Sequence, residues 1–256
     1  MLLNLSEWDG MRVTMIPDVA LSARIPGFRR VLPAAAGMLL SLWLAAGTAI
    51  AQDPAPAATE NDLALIAAAA KGELDGVAKA MRAGGGVKAR DAQGRTALLA
   101  ATYGNHVPVA LLLMAAGSDV NAKDNQENSA FLLAGAEGYL DILKLTLRSG
   151  ADVRSTNRYG GTALIPAAHH GHVEAVKELL KTAVPVDHVN KLGWTALLEA
   201  VILGDGGARH TEIVRLLVAA KANVNLADKD GVTPLAHAKR RGYAEIARIL
   251  EAAGAK

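Results

Sequence analysis

The amino-acid sequence predicts an all-α fold, a solenoid of about six repeated helical units. The first observation behind this prediction is a short motif that recurs along the chain at nearly constant spacing. The second is the composition, which is 51% hydrophobic but only 4% aromatic, so that alanine, leucine and valine must build most of the core. Alanine and leucine favour helices, whereas sheet-rich folds usually contain more aromatic and β-branched residues.

The first element along the chain has the pattern of an export signal. Arg24, Arg29 and Arg30 lie just before an uncharged segment, residues 31–51, which contains an apolar run and ends in Ala49-Ile50-Ala51. A basic region, an apolar core and an Ala-x-Ala site are typical of a secretory signal peptide. We therefore predict a signal peptide over residues 1–51, with cleavage after Ala51.

Other interpretations of this segment stay open. Its 21 uncharged residues are enough to span a bilayer as an uncleaved anchor, and Arg29-Arg30 weakly resembles a twin-arginine signal. The front of the segment is long and acidic for a signal, so translation could start at Met1, Met11 or Met15. Residues 52–60 are predicted to be a disordered spacer because they are rich in proline and alanine, and residues 61–256 the folded domain.

The rest of the chain repeats one motif five times, as in Gly94-Arg-Thr-Ala-Leu and Gly193-Trp-Thr-Ala-Leu. The hydroxyl residues of the five copies lie 33, 33, 33 and 38 residues apart, at Thr96, Ser129, Thr162, Thr195 and Thr233. A hydroxyl group at the start of a helix accepts a hydrogen bond from a free backbone N–H group. We therefore expect each of these residues to cap the first helix of a unit.

The motif resembles the ankyrin repeat, which reads T-P-L-H-x-A-A, has Gly-His near the turn between its helices and ends in G-A-D-V-N. Gly171-His172 and Gly117-Ser-Asp-Val-Asn match those later parts, and the resemblance covers residues 61–256. It implies helix-turn-helix units joined by short β-hairpin fingers, and a binding module that is not an enzyme and needs no cofactor. The chain departs from the motif at two positions. The proline that follows the hydroxyl residue is present only as Pro234, with Ala in the other four units, and an apolar residue replaces the first-helix histidine in every unit.

Two regions of the repeat array are irregular. Residues 63–83 form a sixth, N-terminal unit without the hydroxyl motif, as expected of a capping repeat, and Gly84-Gly85-Gly86 is interpreted as a helix stop. The fourth copy of the motif is followed by five extra residues, Asp205–Arg209, which we predict to be a solvated loop between its two helices.

The second helices are expected to bury one pair of large aliphatic residues in each of four units. These pairs are Leu111-Leu112, Leu179-Leu180, Leu216-Leu217 and Ile249-Leu250. Because a single unit cannot cover its own apolar face, the units must stack on one another.

No catalytic motif of the Gly-x-Ser-x-Gly, His-Glu-x-x-His or Walker type occurs in the sequence. The net charge is +2, with 27 basic and 25 acidic residues, so no basic surface for nucleic acid is expected. There is no cysteine. The histidines of His169-His170-Gly171-His172 resemble a metal-binding cluster, but adjacent helical positions do not converge on one ion, so no metal site is predicted.

The large amphipathic side chains on the fingers and first helices are the candidate partner-binding residues, since in the ankyrin fold these elements line the concave surface. Tyr, Trp and Arg dominate the energetics of protein interfaces. The candidates on the fingers are Arg95, Arg158, Tyr159, Lys191 and Trp194, and those on the exposed sides of the first helices are Tyr103, His169, His170, Glu199 and Arg240. Trp194 is the favoured candidate, because the equivalent position holds very different residues in the other units, which indicates exposure.

These observations together predict a monomeric protein-interaction module of the bacterial periplasm that binds another protein through its concave face. Neither nucleic acid nor, after signal cleavage, a membrane is an expected partner. Two alternatives stay open. One is a metal-handling or peroxide-defence accessory protein that uses His169, His170 and His172, and the other is an effector secreted from the cell.

Overall fold

The computed structural model describes residues 58–256, and in this part of the chain the regular structure is entirely helical. Twelve helices follow one another in pairs: α1 (Glu60–Lys71), α2 (Leu74–Arg82), α3 (Ala97–Tyr103), α4 (Val107–Ala115), α5 (Ala130–Ala136), α6 (Leu140–Arg148), α7 (Leu164–His169), α8 (Val173–Leu180), α9 (Ala196–Ile202), α10 (Ala208–Ala219), α11 (Pro234–Arg240) and α12 (Ala244–Ala252). The predicted signal peptide and most of the predicted spacer lie outside the described residues. The first helix begins at Glu60 because Thr59 caps it, one residue before the predicted start of the domain.

Each pair of helices forms one unit, and the units stack in order. Each first helix packs against the first helix of the next unit, in the order α1, α3, α5, α7, α9 and α11. The second helices pack in the same way as a parallel layer, in the order α2, α4, α6, α8, α10 and α12. The four inner first helices, α3, α5, α7 and α9, are almost fully buried at their centres, as Leu98, Phe131 and Leu197 show. The prediction of an all-α solenoid with about six units is confirmed.

The fingers between units were predicted to be short β-hairpins, but in the described part of the chain they are tight turns without regular strands. Five Asp or Asn residues build the fingers, and each lies five residues before the hydroxyl residue of its unit: Asp91, Asp124, Asn157, Asn190 and Asp228. The side-chain Oδ1 of each one accepts hydrogen bonds from the backbone N–H groups two and four residues later, at 2.9–3.0 Å. This Asx turn fixes the shape of every finger.

Four of the five predicted hydroxyl caps are present. Thr96, Ser129, Thr195 and Thr233 each accept a hydrogen bond from the N–H group three residues later. Thr162 does not, and its buried Oγ1 has no hydrogen-bond partner. Helix α7 accordingly begins two residues after Thr162, whereas the other four first helices begin at the next residue.

The register predicted for the second helices is correct in α8, α10 and α12 but wrong in α4. Leu179, Leu217 and Leu250 are fully buried, each 17 or 22 residues after its hydroxyl residue. The equivalent residue in α4 is Leu113, which is fully buried, whereas Leu111 is 52% exposed. Three consecutive leucines made the choice ambiguous in the sequence, and the spacing from Thr96 resolves it.

The insertion of Asp205–Arg209 is only partly a loop, which corrects the prediction. Ala208 and Arg209 lengthen α10 at its start, so that α10 has 12 residues. The remaining turn is exposed at Asp205 and Gly207, as predicted, and two contacts hold it in place. The Asp205 carboxylate contacts His210 Nδ1 at 2.7 Å, and the left-handed Gly206 lies against the Tyr243 ring with no room for a Cβ atom. His210 Nε2 in turn lies 2.8 Å from the carbonyl oxygen of His169.

The glycine run after α2 ends that helix as predicted. Gly84 adopts a left-handed conformation with φ 94°, and the Gly86 N–H donates to the Asp62 carboxylate at 2.6 Å. From residue 58 onward, the chain contains no helix with the length and apolar character needed to cross a bilayer.

Candidate partner-binding groove

The fingers and first helices of the units α7–α8 and α9–α10 enclose a groove of about 320 Å³. We call it the finger-face groove. It is lined by Asn157, Tyr159, Gly161, Ile165, Pro166, His169, His170, Asn190, Leu192, Glu199 and Leu203. Four of the ten predicted binding residues, Tyr159, His169, His170 and Glu199, therefore meet in one place.

The floor of the groove contains a buried carboxylate. Glu199 is only 6% exposed, although it was predicted to lie on the exposed side of its helix. Its Oε1 accepts a hydrogen bond from Asn190 Nδ2 at 2.8 Å, and its Oε2 lies 3.8 Å from His169 Nδ1. Burial raises the pKa of the Glu199 carboxyl, and the Asn190 hydrogen bond opposes that shift. The floor of the groove is therefore a desolvated carboxyl group whose burial is partly compensated by one hydrogen bond.

His169 and His170 line the groove, but together with the neighbouring His172 they do not form a chelating set. The rings of His169 and His170 are 4.5 Å apart and those of His170 and His172 are 5.7 Å apart. His170 Nδ1 lies 2.8 Å from the Ala136 carbonyl oxygen. Burial and the neighbouring His170 lower the pKa of His169, which favours its neutral form. Among the described residues, no group of three or more His, Asp or Glu side chains is placed to hold a metal ion.

The rim of the groove is apolar and exposed. Tyr159 is 53% exposed, Leu192 is 51% exposed and Leu203 is 41% exposed. The guanidinium of Arg158 lies 4.7 Å from the centre of the Tyr159 ring and donates to its hydroxyl at 2.7 Å. This exposed apolar cluster makes the groove a candidate interaction surface. Leu192 and Leu203 were not among the predicted residues.

Lys191 and Trp194 belong to the same finger as Leu192 but do not line the groove. The Lys191 ammonium donates to the Arg158 carbonyl oxygen at 2.8 Å, which ties this finger to the previous one. Trp194 is half-buried, and its backbone N–H group donates to Asn190 Oδ1 at 3.0 Å. The structure thus places both residues beside the groove.

The other three predicted residues lie in other units. Arg95 pairs with Asp91 through Nη2 at 2.7 Å. The Tyr103 hydroxyl donates to the Asp124 carboxylate at 2.9 Å, and the pKa of Tyr103 is raised, first by burial. Arg240 is exposed in the last turn of α11. These three residues are therefore not part of the finger-face groove.

Comparison with known proteins agrees with this architecture. The family model described as "Ankyrin repeats (3 copies)" matches residues 34–124 and 131–226. The crystal structure of an ankyrin repeat domain from Acinetobacter baumannii AYE is 56% identical, with a TM-score of 0.73, and the match covers 75% of this chain and 98% of that chain. The structure of EF0377, an ankyrin repeat protein, is 36% identical, with a TM-score of 0.72 and the same coverage of both chains.

A curated relative matches over a shorter stretch. The ankyrin repeat protein YahD of Escherichia coli K12 is 51% identical over 57 residues, which is 22% of this chain and 28% of YahD. The chain thus spans less than a third of the length of YahD. Ankyrin repeats are modules for protein–protein interaction and form a fold without catalytic function of its own. With two family matches that together cover more than half of its residues, the chain belongs to the ankyrin repeat family.

Proposed function

We propose that this protein recognises a partner protein through the finger-face groove on the concave side of the ankyrin stack. The observation that carries the proposal is the exposed apolar rim of Tyr159, Leu192 and Leu203 above the buried carboxylate of Glu199. An interface core typically combines aromatic and aliphatic area with a few polar groups and little net charge. The groove has this make-up.

We place the centre of the proposed site at Tyr159 rather than at Trp194. The sequence favoured Trp194 because its type and position suggested an exposed anchor residue. Tyr159 is more exposed and lines the groove, whereas Trp194 is half-buried beside it. Trp194 remains a predicted neighbour of the contact.

We further propose that recognition takes place after export to the bacterial periplasm. The support comes from the signal-like pattern of residues 1–51 and from the absence of cysteine in the chain, which is compatible with an oxidising compartment. The relatives from A. baumannii and E. coli are bacterial. Full secretion from the cell would be consistent with the same signal.

Two matched leucine variants test the groove. Leu192 and Leu111 are equally exposed, at 51% and 52%, but Leu192 lines the groove and Leu111 lies on α4. We expect periplasmic affinity capture to recover one protein with the wild type and with Leu111→Asp, and to lose it with Leu192→Asp. Circular dichroism controls for the folding of both variants. Equal recovery with all three baits would rule out the groove as the site.

A further inference from the structure

We propose that the finger-face groove accepts a lysine side chain of the partner, flanked by apolar residues, with its ammonium group at the Glu199 carboxylate. This inference rests on the proposed function of the groove. It adds the chemical class of the recognised side chain, which the fold alone does not give.

The first support is the unsatisfied half of the Glu199 carboxylate. Glu199 is only 6% exposed yet lines the groove. Its Oε1 accepts the Asn190 hydrogen bond, whereas His169 Nδ1, at 3.8 Å, is too distant from Oε2 for a hydrogen bond. A buried carboxylate is costly unless it is paired. A partner cation reaching Oε2 would supply the missing pair.

The second support is that the nearby cations are already engaged. The Lys191 ammonium donates to the Arg158 carbonyl oxygen, and the Arg158 guanidinium donates to Gln126 and Tyr159. Neither side chain reaches Glu199. The Oε2 atom of Glu199 is therefore available to a partner.

The third support is that this arrangement occurs once in the described array. The residues equivalent to Glu199 in the other units are Ala100, Leu133, Pro166 and His237. His237 Nε2 contacts the Asp228 carboxylate of its own unit at 2.7 Å, so that pair is closed. Among the described repeats, only the unit with Glu199 has a carboxylate at this position.

The shape of the site favours lysine over arginine. One free carboxylate oxygen suits the point charge of an ammonium group, whereas the guanidinium fork binds best when both oxygens are free. Ile165, Pro166, Leu192 and Leu203 line the groove and can pack against an aliphatic lysine stem.

The test is selection of displayed random peptides against the exported mature protein, followed by calorimetry with the selected peptides. We expect the enriched peptides to share one lysine between apolar residues. Replacing that lysine with norleucine should weaken binding by about thirtyfold or more, as for a buried charge pair. Replacing it with arginine should weaken binding less.

Glu199→Gln should abolish the preference for lysine over norleucine, because the introduced amide oxygen can still accept the Asn190 hydrogen bond but the side chain carries no charge. Glu60→Gln removes an equal charge from the exposed start of α1 and should leave the preference unchanged. Thermal melting verifies that both variants are folded.

The outcomes separate the two proposals. Suppose that the enriched peptides fail to bind Leu192→Asp but show no preference for lysine, or prefer arginine. That result would overturn the lysine inference and leave the groove as the site. A lysine preference that survives Glu199→Gln would overturn it as well. Failure to enrich any peptide sensitive to Leu192→Asp would overturn the proposed groove function together with the inference.

Discussion

Pro166 lies one helical turn after Thr162 and leaves the Thr162 hydroxyl without a hydrogen-bond partner. In the other four motif units, the N–H group four residues after the hydroxyl residue donates to that residue's carbonyl oxygen. Proline has no N–H group to donate. The N–H group of Ile165 therefore donates to the Thr162 carbonyl oxygen at 3.2 Å. It does not donate to the Thr162 hydroxyl, so the cap is not formed.

Removing the two hydroxyl groups should therefore have different effects. Thr195→Val loses a working cap and should cost about 1 kcal/mol. Thr162→Val should be neutral or stabilising, because it removes a buried hydroxyl that has no partner. Chemical denaturation followed by circular dichroism measures both, and equal losses would mean that Thr162 caps α7 in solution.

Pro166→Ala should restore the cap of α7 and stabilise the protein by about 1 kcal/mol. The alanine N–H can donate to the Thr162 carbonyl oxygen, which frees the Ile165 N–H for the hydroxyl. The double variant Thr162→Val/Pro166→Ala should lose part of that gain, and the double-mutant cycle measures the coupling between the two sites. Additive effects would contradict this explanation.

Glu199→Gln should stabilise the folded protein at neutral pH. The pKa of Glu199 is raised by burial, so the folded state favours the protonated carboxyl and its stability falls as pH rises through that raised pKa. The melting temperatures of wild type and variant should converge below roughly pH 4, where the carboxyl is protonated in both states. A variant that is less stable than wild type at pH 7 would show that the charge supports the fold.

The corrected register of α4 gives a matched pair of leucine variants. Leu113→Ala should cost about 2–5 kcal/mol because the side chain is fully buried. Leu111→Ala should change the free energy of unfolding by less than about 0.5 kcal/mol because half of the side chain is exposed. Denaturation midpoints distinguish the two, and a reversed order would restore the register expected from the sequence.

Processing of the N-terminus is tested directly on the exported protein. If the chain is cleaved after Ala51, N-terminal sequencing should begin at Gln52. Peptides that contain Trp43 in the mature protein would instead favour an uncleaved anchor.

The fold was predictable because the hydroxyl motif recurs at regular spacing and each unit has the same two helices. The Asx residues of the fingers recur at the same 33, 33, 33 and 38 residue spacing and could have been found in the same way. The position of Leu192 and Leu203 on the groove rim could not be predicted, because nothing in the sequence distinguishes a leucine on the rim from one in the core. Glu199 was selected for the right region, but its burial depends on how α9 packs against α7 and its own finger.

The Asx turns separate the shape of a finger from the identity of the residues at its tip. Each turn is closed by one side chain and two backbone N–H groups, while the residues between them carry Arg158 and Tyr159 in one unit and Lys191 and Leu192 in the next. Tip residues can therefore be exchanged between units while the backbone keeps its course. The array is a scaffold on which new recognition surfaces can be grafted one finger at a time.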